Sequence, residues 1–230
     1  TALQAESRGK RILERGGSDA LLAEIDLIRA DHAQGRYLGV LFTHAQLDET
    51  RLTRALDIAS RIRSDFELRR ALEAGLSNQA MSPAAQARLL GTAATIGSDF
   101  ELAQLLLPLA KTGSLQEPVL GAWREALAGI GSDFEQRRVL TALLARGEPA
   151  ATRIALENAA GIGSDFEARS VLEAAVDQVR ADAGVRAAWF EVFGGVGSDF
   201  EQRQALQALI EAGPVDIAMA NDVLAALANV

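Results

Sequence analysis

Cysteine is absent from all 230 residues, which excludes disulfides and thiolate metal ligands and leaves the redox compartment open. Aromatic residues are sparse at 5 %, and there are 5 prolines. No run approaches the roughly 18 uninterrupted apolar residues a membrane-spanning helix needs, so direct membrane insertion is not expected. Lys and Arg form no block, and the net charge is -8 with a pI near 4.9. A nucleic-acid binder needs a cationic footprint, so nucleic acid is excluded as a partner, and the same balance opposes adsorption to anionic lipid. The only histidines are His32 and His44, without metal-ligand spacing around them. There is no His-Glu-x-x-His pair, no serine elbow and no phosphate-binding glycine loop. No catalytic, cofactor-binding or metal-binding residue stands out, and an enzyme or small-ligand sensor is the least favoured reading.

What the chain has is a repeat. Ser-Asp-Phe-Glu occurs five times, starting at Ser64, Ser98, Ser132, Ser164 and Ser198, with steps of 34, 34, 32 and 34 residues. An aliphatic residue precedes each copy by two positions: Ile62, Ile96, Ile130, Ile162 and Val196. One period before Ile62 stands Ile28, followed by Ala30-Asp31-His32 as a degenerate copy that puts His32 in the phenylalanine place. Enough chain precedes it for most of another unit.

Each phrase predicts a helix start. Ser at the N-cap and Glu three residues later form a capping box, in which the hydroxyl accepts from the N3 amide and the carboxylate returns to the Ser amide. The pairs are Ser64/Glu67, Ser98/Glu101, Ser132/Glu135, Ser164/Glu167 and Ser198/Glu201. Apolar residues at helical spacing follow for about twelve residues, as in Phe134, Val139, Leu140, Leu143 and Leu144. A break rich in Gly, Ser or Pro comes next, then a second helix of similar length. Gly97, Gly131, Gly163 and Gly197 close it and are expected to supply a left-handed end or tight turn.

A hairpin this small cannot bury its own apolar face, so neighbours must stack. The expected fold is therefore all-α: an α-solenoid of about seven stacked helical hairpins in one domain, residues 1–230. Its units are expected at 1–29, 30–63, 64–97, 98–131, 132–163, 164–197 and 198–230. The short 132–163 unit is expected to lose residues near Gly147 or from its second helix.

The repeated side chains read first as structure. Asp65/Arg69, Asp133/Arg137, Asp165/Arg169 and Asp199/Arg203 are spaced for i,i+4 salt bridges, a pairing lost at Asp99/Ala103. Phe66, Phe100, Phe134, Phe166 and Phe200 are expected to wedge adjacent units together, so that Phe134→Ala would cost about 3 to 5 kcal/mol. Trp123 and Trp189 share a register that argues for packing. Trp189, Phe190 and Phe193 lie in a run that is apolar around most of its helix, making them the candidate partner contact. His32 is expected to pack or cap the end of the stack. The last unit keeps apolar Leu224, Leu227 and Val230, which predicts end-to-end association of copies.

The Ile-Gly-Ser-Asp-Phe-Glu-x-Arg-x-x-Leu phrase resembles helical repeats in the extracytoplasmic parts of bacterial membrane proteins related to antibiotic-sensing metallopeptidases, over about residues 30 to 230. In architecture the repeat is similar to tetratricopeptide or HEAT-like repeats, although the Trp, Leu-Gly, Tyr and Pro pattern of the former is missing. The resemblance implies a periplasmic or other extracytoplasmic setting and a sensing or scaffolding module. It does not imply peptidase activity, because the zinc motif and membrane helices are missing here. The chain opens at Thr1 without a basic and apolar leader, as expected of a processed protein or a piece of a longer one. The functional expectation is a protein-interaction module whose partner is a protein or peptide held at outward, non-repeating positions, with a structural spacer within a larger protein as the alternative.

Overall fold

The structure is a computed structural model describing residues 2–227. Fourteen α-helices and no strand occur among them: α1 (Ala2–Leu27), α2 (Asp31–His44), α3 (Glu49–Ala59), α4 (Asp65–Asn78), α5 (Pro83–Ala93), α6 (Asp99–Thr112), α7 (Val119–Ala128), α8 (Asp133–Leu144), α9 (Pro149–Ala159), α10 (Asp165–Ala174), α11 (Val176–Ala181), α12 (Ala183–Gly195), α13 (Asp199–Glu211) and α14 (Ile217–Leu227). The fold is an all-α, solenoid-type stack of helical hairpins.

The first hairpin is hidden inside α1. Gly17 breaks that helix with φ 70° and ψ -171°, a conformation open to glycine at little cost. Arg8 Nη2 lies 2.6 Å from Glu24 Oε1. Sixteen residues of unbroken helix would hold these groups about 24 Å apart, so the two arms fold back on each other.

Contacts group the chain into two compact units, Thr1–Leu106 with Gly113–Gly129, and Leu107–Thr112 with Ile130–Val230. In the first, α1 packs on α2 and α3, α2 on α4, α3 on α5, and α5 on α7. First helices of successive hairpins thus lie beside first helices, and second beside second. The second unit repeats the scheme: α8, α10 and α13 pack in sequence, as do α9, α12 and α14. The residues missing from the 32-residue step come from α8, which has 12 residues where α4 and α6 have 14. Leu38, Leu41, Leu56, Leu72 and Leu90 are fully buried in the first unit, and Leu140, Leu143, Leu172 and Leu209 in the second.

The helix starts show how the phrase works. Each cap Ser accepts from the N3 amide, with long N···O distances of 3.4 to 3.5 Å. At Ser64 and Ser164 the reciprocal half of the box comes from the preceding repeat. Asp31 Oδ2 accepts from Arg63 N and Ser64 N at 3.1 and 3.0 Å, and Asp133 Oδ2 accepts from Ser164 N at 2.8 Å. Asp65, Asp133 and Asp165 each accept from the glycine amide one repeat on, Gly97, Gly163 and Gly197. Left-handed glycines among the described residues are Gly17, Gly147 and Gly213, so the expectation of left-handed ends at Gly97, Gly131, Gly163 and Gly197 is corrected. Gly97, Gly163 and Gly197 instead present an amide to a neighbouring carboxylate.

Candidate interaction surface

Burial overturns the core role expected of the repeated phenylalanines. Phe66, Phe100, Phe134, Phe166 and Phe200 are 47 % to 59 % exposed. The helix period explains it. In α8 the buried face is Val139, Leu140, Leu143 and Leu144, whereas Phe134 lies five and six residues before the first two, about 140° and 240° around the helix. The ring therefore shares its face with residues three and four further on, which are arginines. Arg69 and Arg70 lie over Phe66 at 5.6 and 5.5 Å from the ring centroid, and Arg137 and Arg138 over Phe134 at 5.1 and 5.8 Å. Arg169 covers Phe166 at 4.9 Å and Arg203 covers Phe200 at 5.8 Å. Phe134→Ala should thus cost about 1 kcal/mol or less, the scale of an exposed cation–π contact. A shift in urea midpoint equivalent to 3 kcal/mol or more would restore the wedge.

The Asp–Arg i,i+4 bridges are also replaced. Asp65, Asp133 and Asp165 are occupied as described above, and three of the arginines reach into the next repeat: Arg69 to Glu101, Arg137 to Glu167 and Arg169 to Glu201, all through Nε. Arg69 and Arg169 add i,i+4 bonds to Glu73 and Glu173 at 2.6 Å. Glu135 pairs with Arg138 of its own helix at 2.6 Å, the preceding repeat carrying Ala103 in the arginine place. At the degenerate copy Gly35 stands in that place, and His32 Nδ1 meets Glu67 Oε1 at 2.6 Å instead. His32 is exposed, so its role is polar and not packing.

Of the aromatic run on α12, Trp189 is fully buried, which corrects its assignment as a partner contact, and Phe193 is only 2 % exposed. Phe190 is half-buried and lines a cleft of about 450 Å³ with Phe193, Arg186, Gln202 and Asp222. Arg186 Nε and Asp222 Oδ2 close one side of it at 2.8 Å. At the last hairpin Ile217, Leu224 and Leu227 are exposed, while Val230 lies outside the described residues.

Among the described residues no three His, Asp or Glu side chains gather as metal ligands, and no helix is long and apolar enough to cross a membrane. No protein-family model, curated protein or solved structure matches this chain.

Proposed function

We propose that this chain is a non-enzymatic protein-interaction module that grips a protein or peptide along its repeated phenylalanines. The observation that carries this reading is their exposure: an apolar ring of this size is left at the surface in five successive repeats, at a position the packing of the helices does not use. In the second unit Phe134, Phe166 and Phe200 sit at the same place on α8, α10 and α13, which pack consecutively. In the first, the bond from Arg69 to Glu101 sets the starts of α4 and α6, and with them Phe66 and Phe100, side by side. Phenylalanine and arginine are both enriched at protein interfaces, and arginine covers four of the five rings. A cell-envelope, periplasmic setting rests on the resemblance of the repeated phrase. The exposed Leu224 and Leu227 support end-to-end pairing of copies as part of the same module.

The test is affinity capture from a bacterial envelope extract with the wild-type chain beside Phe134→Ala/Phe166→Ala/Phe200→Ala. The expected result is a specific partner whose recovery falls at least about tenfold with the triple variant, at unchanged helicity and midpoint. Equal recovery by the two proteins would sink the reading.

A further inference from the structure

Arg36 and Arg70 occupy the same repeat position, 34 residues apart, on α2 and α4. Those helices pack on one another, and both arginines line a single cleft of about 260 Å³. The third arginine of this position, Arg138, is paired with Glu135. Among the described residues neither Arg36 nor Arg70 is in an ion pair, and Arg36 Nε is buried with no hydrogen-bond acceptor.

The cleft's own carboxylates are engaged elsewhere. Glu6 is held by Lys10 at 2.8 Å and Glu67 by His32 at 2.6 Å. The Lys10 hydrogen bond draws the Glu6 carboxyl below its ordinary range, with smaller contributions from the nearby His44 and Arg36 charges. The floor is left open at Gly39, where an added Cβ would meet nothing within 4 Å. Arg70 also lies over Phe66, the first exposed ring of the repeated set.

We propose that Arg36 and Arg70 clamp a carboxylate, that of the C-terminus of a peptide whose preceding side chains lie toward Phe66. Planar guanidinium groups match a carboxylate through paired N–H donors, and two of them in one cleft, neither in an ion pair and one with its Nε buried without an acceptor, offer the donors such a ligand takes up. Glu6 and Glu67, bonded to Lys10 and His32 but lining the same cleft, oppose a bare polyanion. The assignment rests on the reading of the chain as a peptide-gripping module, and its test uses a defined probe so that the two stand or fall separately.

The probe is N-acetyl-trialanine with a free carboxylate, titrated into the full chain and followed through the NMR signals of Arg36 Nε–H and the Gly39 amide. Both are expected to shift saturably, with affinity about tenfold weaker in Arg36→Gln or Arg70→Gln, the loss of one charge-assisted pair. Gly39→Leu, which fills the floor and spares both arginines, is expected to abolish the shifts while keeping the helical spectrum. The C-terminal amide of the same peptide is expected to leave the signals unmoved. Equal shifts with the amide, an unaltered affinity in both arginine variants, or saturation by inorganic phosphate or succinate but not by the peptide would each overturn the assignment. Equal partner capture by the triple phenylalanine variant with the trialanine shifts intact would sink the module reading and leave the clamp standing, whereas capture lost in that variant with no trialanine shift in the wild-type chain would remove the clamp alone.

Discussion

Trp189→Ala is expected to lower the unfolding free energy by about 3 to 5 kcal/mol, the range for truncating a large core aromatic. The side chain is fully buried, and its ring stacks on Phe193 with centroids 5.6 Å apart. Its Nε1–H donates to the Leu172 carbonyl at 2.9 Å, near the end of α10 where the chain bends into α11. The alanine variant therefore loses apolar burial, opens a cavity and removes a donor from a buried carbonyl at once. Because α12 packs on α9, α10, α11 and α14, the damage reaches helices of three hairpins. Trp189→Phe keeps most of the apolar body and loses the N–H, so it is expected to cost about 1 to 2 kcal/mol. Urea unfolding followed by circular dichroism separates the variants. A loss below 1 kcal/mol for Trp189→Ala would mean that this part of the second unit does not hold its neighbours together.

The period, the helix starts and the hairpin stack were legible in the sequence because each depends on residues close together in the chain. Ser at the cap, an aliphatic residue two before it and Leu or Val at helical spacing act within one unit, and the structure bears them out from Ser64 to Ser198. The company of a cap and an aliphatic residue suggests a core place for Phe134, which its exposure overturns. The angle between it and Leu140 was already available from the helix period, as were the arginines three and four residues on, and both point to the outer face. Asp65 and Arg69 have suitable i,i+4 spacing, yet their partners are Gly97 and Glu101, 32 residues away in each case. Spacing within one helix cannot reveal a bond to its neighbour, although a period of 34 makes the next repeat the natural place to look. The unpaired Arg36 and Arg70 lay at one repeat position from the start. What singles them out is the one cleft they line and the Arg36 Nε buried in it without an acceptor, and both are properties of the packed helices.

The joint between α10 and α13 is expected to behave as a buried pair and not as surface decoration. Arg169 Nε donates to Glu201 and its Nη1 to Glu173, and the Arg169 and Glu201 side chains are only 16 % and 15 % exposed. Burial works against the Arg169 charge, but its hydrogen bonds to Glu173 and Glu201 outweigh it and hold the guanidinium above its ordinary pKa. Removing the arginine leaves Glu201 desolvated without its cation, which is where the cost of breaking such a pair arises. Residual exposure places Arg169→Ala at about 2 to 3 kcal/mol, below the full cost of a dry pair. In a stack where each hairpin contacts only its neighbours, that loss acts on the coupling of the last hairpin to the rest. The double variant Arg169→Ala/Glu201→Ala is expected to be less destabilised than the sum of the single ones, with an interaction energy of about 1 to 2 kcal/mol. Hydrogen exchange should show α13 and α14 losing protection before α8 and α9 in Arg169→Ala. Strict additivity of the two single substitutions would reduce the repeated Arg–Glu contact to two independent surface charges and leave apolar packing alone to hold one repeat to the next.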